Sequence, residues 1–373
     1  MRWFAVAILV CVACGGGGGE AKDPSSTKAD SSVTHSDAAG EGSAGAPAKG
    51  TPTAVDCGDY TTCALTTEGE VRCWGRDKHG ELGDGGGANK PKHIGVDLGG
   101  KATQIMLASQ FGCALLESKK VKCWGTGHIA NDGKTYTNAK ATDVAGVSGA
   151  EELAASGAVA CARTGDGVVC WGGDPATNST PPKGAFTQIA AGFSHACALD
   201  AKGAVTCWGS GDWGGKGAYA KPALGTVTQV VAGDRHACAL TKDGKVKCWG
   251  SNDAGQLGAK SDTNVHAKAV DVSGVTGAKR LVVGEASTCA VLASGGIKCW
   301  GANNEGELGL GSRTPEERPS AVSALSDVSS MCLGSVHGCA LGGGRIVCWG
   351  GDSDAQLGDA SKERRPSPTP LTW

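Results

Sequence analysis

Cys238-Ala-Leu-Thr-Lys-Asp-Gly-Lys-Val-Lys-Cys248-Trp249-Gly250 decides the fold of this chain. Asp243-Gly244 lies between two arms whose apolar residues alternate, which is the pattern of a β-hairpin. A three-residue loop, Lys242 to Gly244, puts the glycine in the left-handed position of a bulged turn. Counting outward then pairs Thr241 with Lys245, Leu240 with Val246, and Cys238 with Cys248. Facing residues of an antiparallel pair lie about 4.5–5.5 Å apart between Cα atoms, within the reach of a disulfide.

The same unit occurs seven times, at intervals of 36 to 51 residues. Its cysteines are Cys63 with Cys73, Cys113 with Cys123, Cys161 with Cys170, Cys197 with Cys207, Cys238 with Cys248, Cys289 with Cys299, and Cys339 with Cys348. Each second Cys is followed by Trp and Gly. Gly69, Gly203 and Gly295 occupy the turn of units one, four and six as Gly244 does in unit five, while unit two has Glu117-Ser118-Lys119 there. Units three and seven are one residue shorter and centre on Gly165-Asp166 and Gly343-Gly344, two-residue hairpin loops that again set Cys opposite Cys. Spacing and turn type change together and the facing pair survives. Zinc ligation would need Cys-x2-4-Cys clusters, and these spacings are too wide. In a reducing cell the pairs would be buried thiols. In an oxidising compartment they are seven cross-strand disulfides.

The chain has 18 cysteines, and Cys57 and Cys332 remain once the seven pairs and Cys11 and Cys14 are set aside. Each stands a few residues before the paired Cys of the first and last repeats, which are neighbours if the repeats close a ring. A Cys57–Cys332 bond would lock that ring. The two are offset by one position relative to their units, which in a strand turns one side chain to the other face.

Residues 1–14 place one Arg before a short apolar run ending Cys11-Val12-Ala13-Cys14. This is a secretory signal, too short to span a bilayer. Its end is similar to the lipobox of bacterial lipoproteins, with Cys11 where Leu is usual, which implies lipidation at Cys14. Cleavage nearby with ordinary secretion is the alternative. Residues 15–50 are rich in Gly, Ser and Ala and carry almost nothing large and apolar, so they read as a disordered tether. Residues 51–373 are the folded region. Gly15 rather than Asp after Cys14 points to the outer membrane of a bacterial cell envelope, with the membrane touched through the lipid anchor alone. The formal net charge is −2 with no basic tract, which argues against nucleic acid as a partner.

No helical period is visible, and each unit reads as several short strands. Gln229-Val230-Val231-Ala232 leads through Gly233 into the Cys hairpin. After Cys-Trp-Gly comes a loop with Gly-x-Leu-Gly, as in Gly255-Gln256-Leu257-Gly258, and then an extended segment often containing Pro, as in Arg318-Pro319-Ser320-Ala321-Val322. These residues resemble the repeat of the regulator of chromosome condensation family, best in Ala232–Leu240 and Cys248–Gly258. Gly80–Gly83, Gly306–Gly309 and Gln356-Leu357-Gly358 repeat the second half, whereas units two, three and four lack a clean Gly-x-Leu-Gly. The resemblance implies an all-β, seven-bladed propeller. Arg365-Pro366-Ser367-Pro368-Thr369-Pro370-Leu371 matches the Pro-bearing strand that precedes a unit, and no unit follows it. That strand is expected to complete the first blade and close the ring. Trp249 points away from the face that carries Cys248, so one blade's Trp face is expected to pack on the next blade's disulfide face.

Residues suited to chemistry are few. His195, His236 and His337 stand two residues before a first Cys, where other units have Thr61, Phe111, Val159 and Ser287, and a residue recurring at one repeat position serves structure. No Gly-x-Ser-x-Gly elbow occurs. The Gly209–Gly217 stretch lacks the spacing and the Ser/Thr of a phosphate loop. No metal-ligand spacing, cofactor motif or acid/base pair stands out, so the chain reads as a non-enzyme with no cofactor. Aromatic residues and Arg anchor interfaces, which singles out Tyr60, Phe193 and Arg235 in the loop after the Gly, with Trp213 and Tyr219 in a long irregular loop. The resulting expectation is a lipid-anchored, monomeric envelope propeller that binds another protein of the envelope or exterior. The resemblance also implies two narrower alternatives, an inhibitor of a β-lactamase or penicillin-binding enzyme and a guanine-nucleotide exchange factor-like activity, against which the export signal argues, and an enzyme with a central-channel site is a further alternative.

Overall fold

The computed structural model describes residues 50–127, 134–173, 181–210, 222–323 and 325–373. The signal, Cys14, the tether up to residue 49, Trp213 and Tyr219 lie outside the described residues. Among those described there is no helix. The 26 strands form seven antiparallel sheets, five of four strands and two of three. Each sheet is a blade built from consecutive strands. In blade 1 these are β1 (Pro52–Cys57), β2 (Thr61–Thr66), β3 (Val71–Gly75) and β4 (Lys90–Val96).

The second and third strands of every blade are the Cys hairpin, in the register that its turns dictate. Cys238 faces Cys248 and Leu240 faces Val246. Every expected pair is a disulfide. Cys63 is bonded to Cys73 in blade 1, Cys113 to Cys123 in blade 2, and Cys161 to Cys170 in blade 3. Cys197 is bonded to Cys207, Cys238 to Cys248, Cys289 to Cys299, and Cys339 to Cys348 in the four blades that follow. Their Cα atoms are 4.0–4.1 Å apart, a little closer than facing strand positions usually lie. In the second hairpin, which has no turn glycine, Lys119 itself takes the left-handed conformation at φ 61°.

Seven buried clusters form the seven blade interfaces. Cys238, Leu240, Val246 and Cys248 of blade 5 pack with Trp300 of blade 6. Cys339, Leu341, Ile346 and Cys348 of blade 7 pack with Trp74 of blade 1. The seven repeat tryptophans are therefore core. Where a blade has the Gly-x-Leu-Gly loop, that loop roofs the Trp of the next blade. Indole N–H groups of Trp74, Trp124, Trp300 and Trp349 donate to the carbonyls of Gln356, Glu81, Gln256 and Glu307 at 2.7–2.9 Å. Blades 2, 3 and 4 lack the motif. Among the described residues, Trp171 and Trp249, which follow blades 2 and 4, have no partner for that N–H. Blades 3 and 4 are also the two sheets with three strands among the described residues.

The closing strand corrects the sequence reading. Residues Arg365–Pro370 pair with Arg345–Gly350 inside blade 7, and blade 1 supplies all four of its own strands. The Pro-bearing segment is thus the outermost strand of the blade it follows. An edge strand tolerates proline at alternate positions, where the N–H would point away from the ladder and has no partner to lose. The seam between blades 7 and 1 is held instead by contacts between the blades. Cys57 and Cys332 are bonded, with Cα atoms 5.4 Å apart. Their one-residue offset is what the geometry requires. Cys332 faces Cys339 and so lies on the disulfide side of blade 7. Cys57 faces Thr62, opposite Trp74, and so lies on the Trp side of blade 1. Those are the two sides that meet.

Candidate binding face and central channel

The innermost strands of all seven blades line a central cavity of about 270 Å³. Side chains at the third position of these strands reach across to the next blade's backbone. Gln104 donates to the Leu153 carbonyl and accepts its N–H, both at 2.8 Å. Gln188 does the same with Val230, and Gln229 with Leu281. Glu152 accepts the Ile189 N–H and Ser330 accepts that of Val55. Blade 1 has Ala54 at this position, and Asp56 takes over by accepting the Leu107 N–H at 2.5 Å. Burial raises the Asp56 carboxyl to about 7, the main-chain hydrogen bonds notwithstanding. At the rim the backbones themselves touch: a Cβ on Gly334 would lie 2.2 Å from the Gly58 carbonyl oxygen, so only glycine fits there.

In an antiparallel meander the loop after the first strand and the loop after the third emerge on one face. That face carries the channel rim. Asp59, Asp234 and Glu285, each just after the rim Gly, converge there, and no Lys or Arg is among the described residues that line the cavity. Asp234 is raised to about 6 by burial first, and then by the charges of Glu285 and Asp59. It accepts a hydrogen bond from Ser156 at 3.1 Å, and Asp59 accepts one from Ser335 at 2.7 Å.

Tyr60, Phe193 and Arg235 share this face but do not form one cluster. Phe193 sits at the rim, 50 % exposed, with its N–H donating to the Asp234 carbonyl. Arg235 is an exposed neighbour of Asp234 and pairs with Asp253 at 3.4 Å. Tyr60 lies under the Arg76 guanidinium, 4.4 Å from its ring centroid. Arg76 in turn donates to Glu81 at 2.7 Å and to the Ser109 carbonyl at 2.9 Å. The rim carboxylates were not singled out from the sequence. Their signal was available, since Asp or Glu follows the same Gly in units one, five and six.

The three repeat histidines are fully buried between blades. His337 Nε2 meets the Thr62 hydroxyl at 2.8 Å, and that hydroxyl donates to the Gln356 carbonyl. His236 Nε2 meets Thr288 at 3.0 Å in the same way, with Gln256 beyond it. Because each hydroxyl proton is committed, Nε2 carries the imidazole proton and the ring is neutral. Burial lowers His236 and His337 to about 4 and His195 to about 3. A folded pKa below the usual 6.5 means that the stabilisation is fully present above about 6.5 and is lost as pH falls through about 4. Asp234 acts in the opposite sense, since its raised pKa favours the fold as pH falls through about 6. The His236 contribution is isolated by H236Q, which is expected to lose less thermal stability than the parent chain between pH 7 and pH 4. An equal loss in both proteins would remove His236 from the account.

Among the described residues one set of three His, Cys, Asp or Glu side chains brings its ligating atoms within 4.8 Å of one another, Cys57, His337 and Cys339. Both sulfurs are in disulfides and offer no thiolate.

Residues 53–81, 186–214 and 227–256 match one description of the Regulator of chromosome condensation (RCC1) repeat, and residues 294–341 match another. The E3 ubiquitin-protein ligase HERC2 of Homo sapiens is 27% identical over 294 residues, 77% of this chain and 5% of that protein. The chain therefore spans about one-twentieth of this curated relative. Human WBSCR16 has a similar structure, with a TM-score of 0.69 at 19% identity over 82% of this chain and 94% of the other. Prp20p of Saccharomyces cerevisiae has a TM-score of 0.53 at 21% identity, covering 85% of this chain and 76% of that one.

Proposed function

From a chain that carries regulator of chromosome condensation repeats closed into seven blades, we infer a non-catalytic module that binds another protein through the face bearing its inner and outer loops. One observation carries this reading. The acidic rim and the half-exposed Phe193 share that face, above a scaffold fixed by eight disulfides. Prp20p, of the same fold, is described with its binding to Gsp1p and histones, which supports a propeller face as a platform for proteins. Fold alone names no partner.

We place the module at the bacterial cell envelope, anchored through lipid on Cys14 with residues 15–50 as tether. The export signal and the sixteen cysteines paired in disulfides support an oxidising location. Intact mass of the mature N-terminus tests the anchor: a diacylglyceryl-modified Cys14 agrees, and an unmodified chain cleaved elsewhere does not.

Binding is tested by immobilising the chain and capturing from envelope extract. A protein retained stoichiometrically by the parent and lost with Y60A/F193A/R235A is the expected result. If nothing is retained, the carboxylate rim becomes the place to look for a small ligand.

A further inference from the structure

Four outer loops have one length. Thirteen positions separate Asp77 from Lys90, Asn252 from Val265, Asn303 from Glu316, and Asp352 from Arg365. In all four, Oδ1 of the first residue accepts the N–H of the motif Leu: Leu82, Leu257, Leu308 and Leu357, at 2.8–3.1 Å. The other side-chain atom divides them. Asn252 Nδ2 donates to the Lys260 carbonyl at 2.7 Å, and Asn303 Nδ2 to the carbonyls of Ser312 and Thr314 at 3.1 and 2.9 Å. Asp77 and Asp352 have only a carboxylate oxygen to offer. Both residues are fully buried, and Oδ2 of each lacks a hydrogen bond of good geometry among the described residues, with the Asp84 carboxylate beside Asp77 and the Ser361 hydroxyl and Lys362 N–H beside Asp352. An acceptor standing where its counterparts donate to carbonyls needs a positive charge or a proton.

Blade 7 brings a cation of its own, since Arg365 pairs with Asp359 and its charge also acts on Asp352. In blade 1 the matching residue is Lys90, whose partly exposed Nζ reaches only the Asp84 carboxylate, at 3.6 Å. Asp84 adds a second negative charge beside Asp77. With burial as the larger cause, Asp84 and then Glu81 help raise Asp77 to about 6. Glu81 is committed to Arg76 and to the His79 N–H. The loop continues as Gly85-Gly86-Gly87, where the Gly86 N–H donates to Asp84 Oδ1 at 2.6 Å and the Lys140 side chain packs against Gly85.

We propose that Asp77 Oδ2 and the Asp84 carboxylate bind a divalent cation of the calcium class in the outer loop of blade 1, with carbonyls of the Gly85–Gly87 run completing an all-oxygen shell. Lys90 turns to solvent when the cation is held. Asp77 adjoins Arg76, so the cation stiffens the segment that carries the Arg76–Tyr60 stack on the binding face.

The test is thermal unfolding of the full chain with EGTA and with millimolar calcium or magnesium. Calcium is expected to raise Tm by a few degrees and magnesium by less, as for any ligand of the folded state alone. D77N installs the residue that blades 5 and 6 already use, so it folds, and it abolishes the calcium response. D352N, at the matching place in blade 7, keeps the response. No calcium shift in the parent, or an equal shift in D77N, overturns the proposal. If instead Tm of the parent rises on acidification through about 6 and D77N loses that rise, a proton holds the site in place of calcium.

Discussion

The C57S/C332S double variant is expected to lose on the order of 5 kcal/mol of folding stability, the largest effect of removing any one disulfide here. The bond joins residues 275 apart in sequence, whereas the seven hairpin bonds join residues 9 or 10 apart. In the chain-entropy model each hairpin bond contributes about 3 kcal/mol, because it closes a loop that is short already in the unfolded chain. The seam gives the long bond its importance. Six blade interfaces have a chain segment running across them, while blades 7 and 1 meet without a shared strand. Urea unfolding of C57S/C332S beside C238S/C248S reads the difference. A midpoint shift in the ring variant no larger than in the hairpin variant would mean that packing alone closes the ring.

Trp74→Ala is the second large effect, a loss of about 3–5 kcal/mol. Trp74 has no solvent exposure and fills the interface of blade 1 with the Cys339–Cys348 face of blade 7. Its N–H also donates to the Gln356 carbonyl at 2.9 Å. Trp249→Ala makes the comparison sharp. Trp249 is equally buried, and its indole N–H has no partner among the described residues. W74A should therefore be the more destabilised by about 1 kcal/mol, read as a difference in urea midpoint. W249A as damaging as W74A would show that the Gly-x-Leu-Gly carbonyl contributes nothing net.

Much of this architecture was legible because hairpin turns fix register by counting. Asp243-Gly244 alone sets Cys238 against Cys248, and the alternation of a strand then puts Trp249 on the other face. The same count places Cys73, Cys123, Cys207 and Cys299 opposite their partners across ten-residue separations, and Cys170 across nine. What lay between blades was harder to read. The offset of Cys57 and Cys332 would separate two side chains on one sheet, and it is the requirement where opposite faces of neighbouring sheets meet. The Pro-bearing segments fit equally well before or after a unit in a repeating sequence, and only pairing partners such as Val347 with Pro370 decide it. Asp59, Asp234 and Glu285 converge because the ring folds, although they are far apart along the chain. The orphaned Asp77 oxygen was invisible to motif reading, since Asp and Asn accept the Leu N–H alike and differ only in what the second atom can do.

The central claim is that the loop-bearing face recruits a partner and the hairpin-turn face does not. Tyr60, Phe193 and Arg235 lie on the first face, and the turn Lys242–Lys245 lies at the opposite end of its strands. The most direct measurement is quantitative capture of the same envelope protein by the parent chain, by Y60A/F193A/R235A and by K242A/D243A/K245A, with all three shown to be folded by their unfolding midpoints. The account predicts that the loop-face variant loses the partner while the turn variant retains it at the parental level. Loss in the turn variant with retention in the loop-face variant would contradict it and move the interface to the other side of the propeller.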